Sequence, residues 1–366
     1  MTPVREWERG SSHVGDLPRG CDLCARGSKM VLLVTGRCHS NCFYCPLSES
    51  KRGHDVTYAN ERPVDSVEEA IEEAHLIDAE GTGVTGGDPV DALDRTVSMV
   101  KALKAEFGEV HHVHLYTSVP LSEDQLLVLS EAGLDEVRFH PPAETLANID
   151  ATGYPGSVAI AAEMGMEVGY EVPVLPDMEE ELRVFLGSLV DDEGAPFVNL
   201  NELEFSSTNA EPLREHGYTV RNDESAAVQD SEELGRLMVE EFAVSGLRVH
   251  YCSASFKDAI QLRNRLKRRA ENVARPHELV TEDQTILKAV VECEDPGAVA
   301  RDLMTRFDVP ADLMVVDAER GILELAAWVA EELEEEIDGE CYLIEEYPTW
   351  DRLEVERVPV RQIRNG

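Results

Sequence analysis

Cys38, Cys42 and Cys45 are the residues of this 366-residue chain best placed to do chemistry. They stand in a C-x3-C-x2-C run, Cys38-His-Ser-Asn-Cys42-Phe-Tyr-Cys45, directly after an apolar stretch at 30–36. Spacings this short on a bend let three thiolates converge on three irons of a cubane cluster. Three protein ligands leave the fourth iron open to a substrate, as catalytic metal sites keep an open position. A zinc loop and a two-cluster ferredoxin-like site are the competing readings. Zinc wants a fourth ligand nearby, and His39 sits awkwardly beside its own cysteine.

Other thiols and glycines extend the pattern. Cys21 and Cys24 form a C-x2-C pair upstream, and Cys252 ends the last strand-like stretch of the first 255 residues. If the fold brings the three together, they make a candidate second iron–sulfur or zinc site; otherwise the pair packs silently near the N-terminus. Cys293 and Cys341 lie in apolar stretches and read as core thiols. The second glycine-rich signal is Thr85-Gly86-Gly87-Asp88-Pro89. Alone it would be a turn, but two glycines at a strand end also let backbone approach a ligand closely.

These residues need a scaffold, and the periodicity supplies one. Apolar strand patterns at 30–36, 83–86, 112–117, 136–140, 167–174, 197–205 and 247–251 alternate with helical patterns at 66–79, 92–107, 122–132, 157–164, 179–190 and 231–244. Ser66 and Ser122 read as helix caps, and Gly108, Gly133 and Gly165 as helix stops. Such alternation predicts an α/β fold with a parallel sheet, a barrel or part of one. Several strands also alternate polar and apolar residues. A closed lumen is normally filled by branched apolar side chains, so a polar face predicts an enclosed polar ligand. An antiparallel sheet with one wet face would alternate in the same way. By position in the lumen, Thr117, Arg138, His140, Glu171, Asn199 and Asn201 are candidate ligand contacts.

The predicted organisation is an N-terminal extension carrying the C-x2-C pair (1–28), a core (29–255), a basic helix (256–276) and a small C-terminal α/β domain (277–366). In that last domain strands are expected near 286–292, 313–316, 341–345 and 352–359, with a helix at 325–337. The basic run, Lys257 to Arg275, stands out against a formal charge of −40. Its plain reading is a helix paired with the chain's many carboxylates; its functional reading is a phosphate-rich partner such as RNA, binding that salt would weaken steeply.

With 73 Asp+Glu against 33 Lys+Arg, the acidic excess is expected to be a halophilic adaptation, because high salt screens like charges at short range. No stretch resembles a signal peptide or is long and apolar enough for a membrane helix. Clustered cysteines without a disulfide framework suit a reducing compartment, so a cytoplasmic protein is expected.

The cysteine loop resembles that of the radical S-adenosylmethionine (SAM) superfamily, C-x3-C-x-aromatic-C, with Tyr44 as the aromatic. Gly86-Gly87-Asp88-Pro89 falls where that family carries Gly-Gly-Glu-Pro, with Asp88 for the usual Glu. The resemblance covers about residues 29–255. It implies a partial (β/α)6 TIM-like barrel, a 4Fe-4S cluster on Cys38, Cys42 and Cys45, and SAM on the open iron and the Gly-Gly backbone. It further implies reductive cleavage of SAM to a 5′-deoxyadenosyl radical that abstracts hydrogen, fed by a reductant such as ferredoxin or flavodoxin. More narrowly, the chain is similar to an archaeal subgroup described as related to the pyruvate formate-lyase activating enzyme. The matching segments are Gly20-Cys-Asp-Leu-Cys24, Asn60-Glu-Arg-Pro63, Leu134-Asp-Glu-Val-Arg-Phe-His-Pro141, Asn199-Leu-Asn-Glu-Leu-Glu204 and Glu346-Tyr-Pro348. No substrate follows from this. Two alternatives stay open: an iron–sulfur or zinc electron-transfer module without SAM chemistry, and RNA modification by the same radical chemistry.

Overall fold

A computed structural model describes residues 3–190, 196–222 and 225–361. The chain divides into two compact units, Met1–Asn264 and Arg265–Gly366.

In the first unit, β1 (Arg5–Glu6), β2 (Ser12–Val14) and α1 (Arg19–Ala25) precede β3 (Lys29–Leu33). After the cysteine loop come a short hairpin, β4 (Tyr58–Ala59) and β5 (Arg62–Pro63), and α2 (Val67–Leu76). Strand and helix then alternate as β6 (Gly81–Thr85), α3 (Leu93–Phe107), β7 (His112–Thr117), α4 (Glu123–Glu131), β8 (Glu136–Phe139), α5 (Tyr154–Glu163), β9 (Glu167–Val174), α6 (Glu179–Ser188) and β10 (Phe197–Glu202). Next are α7 (Ala210–Glu215), a hairpin of β11 (Val220–Asn222) and β12 (Ser225–Val228), α8 (Ser231–Glu241), β13 (Val249–Cys252) and α9 (Ala254–Phe256).

The sheet runs β1-β2-β13-β10-β9-β8-β7-β6-β3-β4-β5. From β3 through β6, β7, β8, β9 and β10 to β13 every pairing is parallel. All seven expected strands are therefore present in one α/β sheet. Its two edges were not expected: β2 adds to β13 and β4 to β3, both antiparallel. The expected caps hold. Ser66 accepts from Glu69 N at 3.2 Å, Ser122 and Gln125 form a reciprocal capping box, and Gly133 leaves its helix at φ 97°.

One sheet face is apolar and carries the helices. Met30, Val84, Leu115, Val137, Val172 and Leu200 pack with Ala74, Leu103, Leu129, Phe185 and Met238 in a single core. On the strands' other face stand Lys29, His112, His114, Glu136, Arg138 and Asn199, all buried. This face is not wet. Part of it is covered by α1 of the N-terminal extension rather than left for a ligand, which narrows the polar lumen expected from the sequence. Gly20 makes the seating feasible, since a Cβ there would lie 2.6 Å from His114 Nδ1 and 2.8 Å from Arg138 Nη2. Arg138 pairs with Glu136 and, at 3.0 Å, with Glu171.

Burial also holds several imidazoles neutral. That of His111 is pushed down to about 4 by burial and by Lys104, and that of His250 to about 3 by burial and by His13. Between the ordinary value near 6.5 and these values the unfolded chain binds more protons, so stability present above pH 6.5 is withdrawn as pH falls toward 4. At pH 5.5 each such histidine costs on the order of 1 kcal/mol. The melting temperature at constant salt is expected to fall steadily from pH 7 to 5, and a flat profile would contradict this.

The second unit begins within α10 (Arg263–Val273), the expected basic helix, which a π-helical turn, Lys257–Leu262, precedes. Then come β14 (Leu279–Val280), β15 (Ile286–Glu292), α11 (Pro296–Phe307), β16 (Met314–Asp317), β17 (Ile322–Leu325), α12 (Ala327–Leu333), β18 (Glu340–Glu346) and β19 (Glu354–Pro359). Its sheet, β16-β17-β15-β18-β19 with β14 on β15, is antiparallel throughout. Residue 325, expected to open a helix, ends strand β17. A short apolar run reads equally as strand or buried helix, and pairing decided it. The basic run is engaged with carboxylates: Lys257 with Glu204, Lys267 with Glu271 and Arg275 with Glu324. Arg263, Arg265, Arg268 and Arg269 also have interaction partners. Among the described residues no helix is long and apolar enough to cross a membrane.

Candidate active site

A cavity of about 750 Å³ opens at the C-terminal ends of the parallel strands. That end of an α/β sheet is where strand-to-helix loops gather functional groups. Cys38, Cys42 and Cys45 line it, together with Gly86 and Gly87 beyond β6, Thr117 on β7, His140 after β8, Glu171 on β9 and Asn201 on β10. Residues far apart in the chain thus meet at one volume, as the sequence predicts.

The cysteine loop is irregular backbone, so its position depends on individual bonds. Val34 N donates to Thr85 O at 2.9 Å, Gly87 N to Thr35 O at 2.7 Å and Asp88 N to Arg37 O at 2.7 Å. The glycines are needed for this close approach. A Cβ on Gly86 would lie 2.3 Å from Thr35 O, and one on Gly87 2.1 Å from Arg37 O. The far end of the loop is latched by Asp55, which accepts from Thr35 at 2.9 Å and from both Arg95 nitrogens at 2.9 and 3.1 Å. Those bonds, Arg95 foremost, hold the Asp55 carboxyl down at about 2.

All three loop thiols are free; Cys38 is exposed, while Cys42 and Cys45 are half-buried. Burial raises the Cys42 thiol above its ordinary value. The Ser40 amide lies 3.3 Å from Cys38 Sγ, and Ser118 Oγ lies 3.7 Å from it. His39 is committed elsewhere, 2.7 Å from Asp91, and does not line up as a fourth zinc ligand. Among the described residues no further cysteine lines the cavity. Three soft donors at one mouth, and no fourth, fit a 4Fe-4S cluster with one iron left to an exogenous ligand.

Asp88 and Pro89 lie behind the cavity wall. The Asp88 carboxylate is 1% exposed and accepts from Ser118 N at 2.8 Å, Ser118 Oγ at 2.7 Å, Thr117 Oγ1 at 3.1 Å and Val90 N at 3.1 Å. It therefore ties the end of β7 to the turn after β6 and holds Thr117 and Ser118 against the cysteine loop. Replacing Asp88 by Ala strands four donors and is expected to cost about 2 kcal/mol or more. Urea unfolding measures this, and a loss near zero would contradict the assigned role.

The remaining contacts form one chain. His140 Nδ1 lies 2.7 Å from Glu171 O and, facing a carbonyl, carries the proton. Its Nε2 then accepts from Tyr44 OH at 3.3 Å. Burial lowers the His140 value, which keeps the ring neutral in this role. Glu171 accepts from Asn199 at 2.6 Å and from Asn201. Sequence reasoning missed Tyr116, Ser118, Glu202, Glu204 and Lys257, which also line the cavity. Lys257, 2.7 Å from Glu204, sits on a π-helical turn, a distortion common at functional sites but not visible as a motif.

Cys21, Cys24 and Cys252 do converge. Cys24 Sγ donates to Gln261 Oε1 at 2.9 Å, and Gln261 Nε2 lies 3.6 Å from Cys252 Sγ. Cys21 Sγ lies 3.5 Å from Arg138 Nη2.

The family model "Radical SAM superfamily" matches residues 32–151, and "Domain of unknown function (DUF8061)" matches 284–360. Among solved structures, the chain is similar to methylornithine synthase, with TM-score 0.41 and 14% identity over 60% of this chain and 63% of that one. It is also similar to the FeFe-hydrogenase maturase of Carboxydothermus hydrogenoformans, with TM-score 0.40 and 16% identity over 66% and 65%. These comparisons lend no support to the halophilic reading of the charge. A Methanocaldococcus jannaschii protein named "Putative glycyl-radical enzyme activating enzyme" is 39% identical over 94% of this chain and 93% of its own length. With that relative, the matched family model and the three-thiol mouth together, the chain belongs to the radical SAM superfamily.

Proposed function

We propose that this enzyme holds a 4Fe-4S cluster on Cys38, Cys42 and Cys45, binds SAM in the adjoining cavity and initiates hydrogen abstraction from a substrate enclosed there. When bound, the cluster and SAM supply a one-electron cleavage of the sulfonium C–S bond, giving methionine and a 5′-deoxyadenosyl radical. The observation that carries this reading is the meeting of three thiols, the Gly86-Gly87 turn and polar side chains of β7 to β10 at one cavity. Its volume lies within the range of small-molecule sites. Gly86 and Gly87 bring backbone to the wall, where SAM's amino acid end would be held. Asn201 and Glu171 offer polar contacts for a ribose or a substrate. Tyr44 and His140 close the wall behind Cys42, which keeps water from a reactive intermediate. A low-potential ferredoxin or flavodoxin would deliver the electron.

The relative's name makes a glycyl-radical enzyme the macromolecular substrate to test first, the abstracted hydrogen being a backbone glycine Cα–H. The RNA reading loses ground because the basic run is engaged with carboxylates. The test is anaerobic reconstitution, dithionite reduction and chromatography for 5′-deoxyadenosine with SAM present. Production supports the reading; a fully reduced cluster yielding none would favour an electron-transfer module.

A further inference from the structure

The N-terminal extension does more than cover the polar face. Cys21 and Cys24 stand one turn apart on α1, and Cys252 comes from the end of β13. Cys24 and Cys252 flank the Gln261 side chain, and Cys21 meets Arg138. Cys252 is paired in register with Asn201, which lines the cavity, so the group sits beside the cavity floor.

A second, independent observation concerns charge. Lys29 is 8% exposed, yet among the described residues no carboxylate lies within ion-pairing distance of its ammonium. Its polar neighbours are His114 Nε2 and Tyr116 OH, each at 3.5 Å. A buried, uncompensated ammonium is costly. Burial pushes the Cys21 and Cys252 thiols up to about 12, against the pull of Arg138 on the first and Lys257 on the second. Cations set round thiols are the environment that favours thiolates and the anionic centres they bind.

We infer that Cys21, Cys24 and Cys252 hold a second metal centre, an iron–sulfur cluster whose negative charge the Lys29 ammonium offsets. A single zinc fits less well. Its Zn–S bonds of ~2.3 Å would draw the sulfurs to about 3.8 Å apart. Here an amide stands between Cys24 and Cys252, and among the described residues the three sulfurs do not form a set within 4.8 Å. The wider cubane would displace the Gln261 amide. This inference does not depend on SAM cleavage, and its readout is separate from it.

The experiment counts iron and acid-labile sulfide on the reconstituted full chain, with Mössbauer and EPR spectra. Wild type is expected to hold about eight irons, four per cluster. The Cys38→Ala/Cys42→Ala/Cys45→Ala variant should retain about four irons, with a reduced signal unmoved by SAM. The Cys21→Ala/Cys24→Ala/Cys252→Ala variant should also fall to about four, keeping the SAM-responsive signal. Wild type with only about four irons, lost entirely in the first variant, would overturn the inference, as would one zinc in place of the second cluster. Because the wild-type count needs no variant, misfolding of either triple mutant leaves the test decisive. Failure of SAM cleavage with eight irons present would sink the proposed function alone.

Discussion

Cys42→Ala is expected to reduce 5′-deoxyadenosine formation to the level of a control without enzyme, and Cys38→Ala and Cys45→Ala are expected to do the same. Each thiol is assigned one iron, and among the described residues no spare cysteine lines the cavity to substitute. Two thiolates on an open, half-exposed mouth do not hold a four-iron cluster with its remaining irons facing solvent. The expected loss is therefore complete rather than graded, and it is accompanied by the SAM-responsive part of the iron. Chromatography after dithionite reduction measures the product, and elemental analysis measures the metal. Turnover within a few-fold of wild type in any one of the three would refute the ligand assignment.

Arg138→Met is the substitution expected to cost most in stability. Arg138 is 1% exposed and is the guanidinium shared by Glu136 and Glu171. Burial alone would raise the Glu136 carboxyl, but Arg138, with His112, holds it well below the usual carboxylate range. Removing the cation leaves a fully buried carboxylate with only the imidazoles of His112 and His114 beside it among the described residues, a loss of about 3–5 kcal/mol. The damage extends outward, because Arg138 also meets Cys21 and orients Glu171, whose other oxygen receives Asn199 and Asn201. Urea unfolding is the measurement. Adding Glu136→Gln should recover part of the loss by removing the stranded charge, whereas a single-variant cost below about 1 kcal/mol would contradict this account of the lumen.

What could be read from the sequence was local in kind. Strand and helix periods gave the order β3 to β13, and the C-x3-C-x2-C spacing singled out three thiols that do line one cavity. Strand polarity pointed to Thr117, His140, Glu171 and Asn201, which do face one cavity. Features set by space rather than period were not readable. Gly20 has meaning only once His114 and Arg138 are known to lie against it. Asp88 looked like a shortened version of a family glutamate, but its carboxylate proves fully occupied in fastening β7. Strands as short as β2 carry too few residues for a periodic signal. In the second unit the strands were mostly visible, but alternation of strand and helix does not by itself choose parallel over antiparallel pairing.

The most direct test of the central claim is the EPR spectrum of the reduced, reconstituted protein before and after SAM is added. An open iron in the cavity predicts a shifted spectrum on addition, lost in Cys42→Ala. A spectrum identical with and without SAM, in a protein whose cluster is fully reduced, would mean that no iron is available to it.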